Sequence, residues 1–366
     1  MEKDNFITSY GFFSTIVVTV VGIGIFSYPR EIATFVGGDV WFITIAAGLI
    51  NLLVLKLAVK ALQVNDFKRI TVIIRSGFGS VLGGIILVIT SAFNITAISL
   101  GMRAFVEVVK MYLLEKTPTE FLILITILTG IYLVRGGIRS SVKFNEITLW
   151  IMFLPLFVIL LFALGEADFS NLLPVLHNRP DNYLKGVASS AFAFGGFEII
   201  YLAAPLLKVK KKAYRNILSS TIFILFFYIL VAVLCIAVFS PAETKKLLWP
   251  TITLARTISI PGSFVERWDG VVLALWVIFY FTTFSNGFTF SSYLISDGVG
   301  VGDIRISSLI LVPFIYYIAM MPTNLAELFN IIQVVMPVGF IFNLILLPVL
   351  LIIMGRRRHE EQRREV

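Results

Sequence analysis

The sequence predicts an all-α membrane protein with ten transmembrane helices, and three observations carry that prediction. Apolar residues make up 58% of the 366-residue chain and charged residues 14%, where a soluble domain carries about 25% charged. The mean hydropathy of +0.93 cannot be hidden in one water-facing fold, because most surface positions would then be apolar. Ten helices crossing a hydrocarbon core of about 30 Å consume roughly 200 apolar residues, which this composition supplies.

The apolar segments, bounded by charges or by Pro/Gly clusters, fall at 9–36, 40–62, 81–112, 119–137, 144–165, 184–206, 215–240, 268–296, 303–321 and 327–354. The first is read as a retained span: it follows only Lys3 among two acids and runs through Gly22 to Tyr28 without a small-x-small cleavage pattern. With the N-terminus in the cytoplasm, nineteen Lys and Arg lie in inner segments, nine in outer ones, and Lys56 and Arg103 within spans. That bias places both termini inside. The longest outer loops, 166–183 and 241–267, are too short for a separate domain, so residues 1–355 form one ten-span domain and 356–366 a short, disordered, basic cytoplasmic tail. The basic runs at 208–212 and in the tail read as topology anchors, with anionic lipid as a second reading.

Several chemistries are excluded. The single Cys235 rules out an intrachain disulfide and a paired-cysteine zinc site. His177 and His359 sit in a loop and in the tail, so no metal or catalytic histidine lies within a span. No GxxxxGK[ST] loop is present, which removes ATP as the direct energy source. The net charge of +8 follows the membrane face rather than nucleic acid. Neither an enzyme nor a cofactor is expected.

Two spans carry helix-breaking sequences near their centres. The first holds Gly22-Ile23-Gly24-Ile25-Phe26-Ser27-Tyr28-Pro29, with two glycines two apart and a proline whose missing N–H releases the carbonyl one turn earlier. The sixth holds Phe194-Gly195-Gly196-Phe197-Glu198. Interruptions in corresponding spans of two five-helix halves point to a midplane binding site; close helix packing is the alternative. Both 22–27 and 194–198 are therefore predicted to be non-helical. Glu198 follows the second break, where it either starts the second half-helix, favoured by exposed N–H groups and the dipole, or serves a ligand or proton. Lys56 is expected to snorkel, and Arg103 and Glu107, four apart, to pair. Ser91 and Asn94 share a face of span 3, as do Thr282 and Ser285 of span 8 beside Thr283 and Asn286; these either line a small-molecule site or join helices.

Gly22-x-Gly24-Ile25-Phe26…Pro29-Arg30, Arg135-Gly-Gly-x-Arg139…Asn145-Glu146-Ile147, Asn171-Leu-Leu-Pro174-Val175 and Arg267-Trp268-Asp269, in this order and spacing, resemble the B subunit of spore germinant receptors. That family falls within the amino acid, polyamine and organocation transporter superfamily, and the likeness covers essentially the whole chain. Lys143 stands where the family pattern has arginine. The resemblance implies two inverted five-helix repeats with helices 1 and 6 broken and substrate held among spans 1, 3, 6 and 8. The candidate binding residues are then Gly22, Gly24, Ile25 and Phe26 of span 1, Asn94 and Ile98 of span 3, Gly195, Gly196, Phe197 and Glu198 of span 6, and Thr282, Thr283 and Ser285 of span 8. It further implies a small germinant such as an amino acid, a larger membrane A subunit, a lipoprotein C subunit and the inner membrane of a bacterial spore. A sensor, a proton- or sodium-coupled amino-acid permease and a subunit of a ligand-gated ion-conducting complex are the functions such a chain supports.

Overall fold

The computed structural model describes residues 6–22, 24–257 and 268–364; Lys3, Ile23, Arg267 and most of the outer loop's second half lie outside them. Helices α1 (Ser9–Val20) and α2 (Gly24–Val36) divide the first apolar segment. There follow α3 (Val40–Val64), α4 (Ile70–Tyr112), α5 (Thr119–Arg135) and α6 (Gly137–Ala163). The sixth segment divides again, into α7 (Pro180–Phe192) and the short α8 (Ile200–Ala203), the latter flanked by 3-10 turns at Phe197–Ile199 and Ala204–Leu206. Then come α9 (Ala213–Thr244), α10 (Pro250–Thr257), α11 (Trp268–Ile295), α12 (Ile304–Met320), α13 (Leu325–Phe340) and α14 (Leu347–Arg364). Among the described residues, six stretches are long and apolar enough to cross a membrane, and Ser9–Val20, Phe197–Leu206 and Ile304–Met320 are shorter apolar helices. The chain is an integral membrane protein.

Three boundaries depart from the sequence reading. The third helix starts at Ile70, not 81, because Gly79 at φ +76° joins a nine-residue helix to the span proper. The tenth segment is not one plain helix: a π turn at Ile341–Leu346 separates α13 from α14. The tail, expected to be disordered, is helical as far as Arg364, where α14 ends; Arg, Glu and Gln are good helix formers and extend a helix already nucleated.

Helix α11 is the hub, packed against α4, α6, α5, α12 and α1. Its polar residues face inward: Asn286 and Ser285 are fully buried, and Asn286 meets the equally buried Asn145 of α6. Arg103 and Glu107 pair at 3.0 Å, as their spacing predicts. Lys56 is exposed and lies 5.5 Å from the Tyr214 ring centroid.

Two proline-released carbonyls are met by connecting segments, 166–179 and 245–257. Pro29 lacks the N–H that would bond Ile25 O; the Thr251 hydroxyl of α10 donates to it at 3.1 Å. Pro241 likewise frees Ala237 O, which accepts from Asp168 N at 3.0 Å and Asn171 Nδ2 at 2.8 Å. Asp168 itself accepts from Ser170 N at 2.9 Å, and its hydrogen bonds to Ser170 hold its carboxyl below the usual carboxylate range. At the opposite end of the chain's first helix, Ile7 forms an isolated parallel bridge with Leu207: Ile7 N bonds Leu206 O and Lys208 N bonds Ile7 O, each at 3.0 Å.

Candidate functional site

Helix α1 stops because Val21 leaves helical space (φ −83°, ψ 76°) ahead of the Gly22-x-Gly24 sequence. Its last carbonyls then have no intrahelical donors. Thr282 Oγ1 donates to Val18 O at 3.0 Å and Thr283 Oγ1 to Thr19 O at 3.0 Å, both from α11. Gly22 is required at this contact: a β-carbon there would stand 2.6 Å from Thr283 Oγ1.

The chain resumes as helix at Gly24, so the first break is earlier and shorter than 22–27. Ile25, Phe26, Ser27 and Tyr28 are helical. Pro29 is tolerated inside α2 because Thr251 takes up the carbonyl it releases, a tertiary donor that local sequence does not reveal. Ile25 and Phe26 are fully buried, and Phe26 packs on Trp276 at 4.6 Å and Phe279 at 5.4 Å between ring centroids.

The second break is built by Gly196 at φ +105°, a left-handed conformation open to glycine. A β-carbon on Gly196 would lie 3.0 Å from Thr19 O. The two breaks therefore touch, α1's end against the glycine of the other. Gly195 beside it is half-buried and Phe197 fully buried. Glu198 folds back so that its Oε2 accepts from Gly196 N at 2.9 Å, with the Asn343 amide from the π turn beside the carboxylate. Its observed bonding is that of a turn-capping acid.

Not every candidate converges here. Asn94 donates to Gly287 O at 2.7 Å and Ser291 Oγ at 2.6 Å, tying α4 to α11. Ile98 packs over the same Gly287, its Cγ2 2.6 Å from where a β-carbon would be. Ser285 donates back to Thr282 O on its own helix. The structure thus gathers Gly22, Gly24, Gly196, Glu198, Thr282 and Thr283 around the breaks, while Asn94 and Ile98 serve the α4–α11 seam and Ser285 bonds its own helix.

Sequence reasoning missed two residues. Tyr228 of α9 donates to Ala193 O at 3.3 Å, and its hydroxyl lies 3.6 Å from the β-carbon position of Gly24, so one phenol spans both breaks. Its ring stacks on Phe194 at 5.1 Å and meets Tyr28 edge-on at 4.8 Å. A tyrosine in an apolar run carries no periodic signal that would mark it. Glu31, on α2, accepts from Ser27 Oγ at 2.7 Å; its spacing of seven from Gly24, which puts both on one helix face, was the available signal.

Chemically, the junction offers a phenol hydroxyl, backbone groups at two interrupted helices and carboxylates, with buried aromatic rings around them. It holds no cluster of three His, Cys, Asp or Glu among the described residues. The groups it does offer are suited to binding a small polar molecule.

The comparisons with known proteins agree with this architecture. A family model described as "Spore germination protein" matches residues 6–328. Spore germination protein A2 of Bacillus subtilis is 26% identical over 340 residues, 92% of each chain. Spore germination protein GerLB of Bacillus cereus is 28% identical over 317 residues, 85% of this chain and 84% of that one. Among solved structures, the substrate-bound outward-open state of a Na⁺-coupled sialic acid symporter superposes with a TM-score of 0.64 at 11% identity, covering 93% of this chain and 79% of that one. That likeness shows a transporter-type fold.

Proposed function

The chain belongs to the spore germination protein family, and from that premise we propose that it is the nutrient-sensing subunit of a germinant receptor, binding a small molecule such as an amino acid where its two helix breaks meet. The observation that carries this reading is the contact of Gly196 with Thr19 O beneath Tyr228, which brings two interrupted helices and a hydrogen-bonding side chain to one point. Such junctions are where transporter-type folds place small polar ligands. In this reading residues 1–355 are one domain of ten crossings in two inverted five-helix repeats, with both termini and the basic tail cytoplasmic. A larger membrane A subunit and a lipoprotein C subunit are its partners in the spore inner membrane.

Gly24→Val tests the pocket. A β-carbon at Gly24 meets only Tyr228 Oη at ordinary contact distance, so the backbone tolerates the change while the branched side chain fills the junction. Spores carrying it should lose the nutrient response at normal protein level. An unchanged response would overturn the proposal.

A second reading, a sodium-coupled permease, is favoured by the oxygens of Val18, Thr19, Thr282 and Thr283 between α1 and α11. Here the hydroxyls donate to the carbonyls, so a cation would have to break both bonds. Sodium-driven amino-acid uptake into proteoliposomes by the isolated chain would favour the permease.

A further inference from the structure

Helix α2 is an interior element. It packs against α7, α9 and α10, and Arg30 reaches over Phe329 of α13 at 5.7 Å. One stripe of it nevertheless stays open: Glu31 is exposed and Gly24 half-buried. Residues 24, 27 and 31 share that face by helical spacing. Glu31 is seven residues from Gly24, about 10 Å along the axis, and so lies within the roughly 15 Å half-thickness of the hydrocarbon. An acyl-facing carboxylate at that depth is costly. With α7, α9 and α10 on its other sides, this stripe is the polar face of α2 that runs from Gly24 at the break to the exposed Glu31.

The chemistry of this face is one-sided. Ser27 Oγ shares its hydrogen between Gly24 O at 3.3 Å and Glu31 Oε1 at 2.7 Å, so the carboxylate reaches within about 6 Å of the Gly24 carbonyl. No described Lys or Arg forms a salt bridge with Glu31; its neighbour Arg30 acts on it only through space and lies over Phe329. A carboxylate offers about four acceptor sites, and Ser27 fills one. Carbonyl, hydroxyl and carboxylate oxygens within the span of a small molecule, with no cation bonded to them among the described residues, are complementary to a group that brings several donors and a positive charge.

We infer that Glu31 binds the ammonium group of the ligand, which makes the ligand a primary amine, an amino acid or simple alkylamine, rather than a sugar or nucleoside. This rests on the reading of the helix breaks as the ligand pocket and adds what that pocket selects. Ser27 orients the carboxylate; the break supplies the remaining contacts.

The test is thermal stability of the full-length chain in nanodiscs with four probes: the twenty standard amino acids as a mixture, a mixture of aliphatic mono- and diamines, the matching 2-hydroxy acids, and a mixture of sugars and nucleosides. Either amine mixture should raise the melting temperature of the unsubstituted protein, the hydroxy acids should not, and Glu31→Gln should raise the half-saturating concentration at least tenfold. Glu31→Asp, which keeps the charge, should recover part of it. Equal stabilisation of Glu31→Gln and the unsubstituted chain by amines would overturn the inference, as would stabilisation by hydroxy acids as good as by amines, or no stabilisation by any mixture. A shift produced by sugars or nucleosides alone, and lost in Gly24→Val, would overturn the amine assignment while leaving the pocket intact. If Glu31→Gln fails to fold, the preference of the unsubstituted chain for amino acids over hydroxy acids still decides.

Discussion

Asn145 and Asn286 exchange amide hydrogen bonds in both directions, at 3.0 and 3.1 Å, across the α6–α11 interface. Each also reaches α1, Asn145 through Thr15 Oγ1 at 3.2 Å and Asn286 through Thr19 Oγ1 at 2.8 Å. Three helices are thereby fixed in register just below the point where α1 ends. In hydrocarbon such bonds are worth about 0.6 kcal/mol on average, with a maximum of roughly 1.7, because the unfolded state in the membrane finds other partners.

Alanine at either asparagine should therefore destabilise the protein, and the pair should couple by about 1 kcal/mol. Unfolding in mixed detergent micelles, run as a double-mutant cycle, measures this. Strict additivity would show that the reciprocal bond contributes nothing.

Thr251→Val should cost about 1 kcal/mol by stripping the donor from Ile25 O. In a Pro29→Ala background the restored helical N–H serves that carbonyl, so the same substitution should cost less. Equal costs in both backgrounds would show that the proline is not the reason for the contact.

Gly196→Ala should destabilise by roughly 1–3 kcal/mol, because φ +105° is a sparsely populated region for an L-residue and Thr19 O crowds the new carbon. Gly24→Val should leave stability nearly unchanged and act on binding alone. Comparing melting temperatures of the two variants without ligand separates strain from pocket filling.

Glu198→Gln keeps an oxygen able to accept from Gly196 N, so a loss on the order of 1 kcal/mol is expected, with ligand binding intact. Loss of proton-coupled uptake in proteoliposomes with stability preserved would instead make Glu198 a proton carrier.

Asp168 has a depressed folded-state value, so its contribution is present above the unfolded carboxylate value of about 3.9 and is lost as pH falls through the lower folded value. Protection of the Ser170 amide from hydrogen exchange should follow that course. Asp168→Asn should flatten it.

Both breaks were legible because paired glycines are a backbone property that needs no partner to be read. Their extent was not. The first break was expected to reach residue 27, yet the helix resumes at Gly24 because Thr251, more than two hundred residues away, accommodates Pro29. Arg103–Glu107 could be read from spacing alone, since both partners sit on one helix. Asn94 and Ser285 looked alike in sequence, and only the packing of α4 on α11 shows that Asn94 crosses between helices while Ser285 bonds its own turn. Glu31 carries no comparable mark: its bond to Ser27 Oγ depends on the helix having resumed at Gly24.

The bridge between Ile7 and Leu207 has a mechanical consequence. It stitches the backbone just before α1 to the backbone just after α8, so one arm of each interrupted helix shares a single seam. A displacement of either arm pulls on the other through two peptide hydrogen bonds before it is felt by any side chain. Force delivered ahead of α1 thus reaches both halves of the junction at once, and the arms swing as one lever or first unzip.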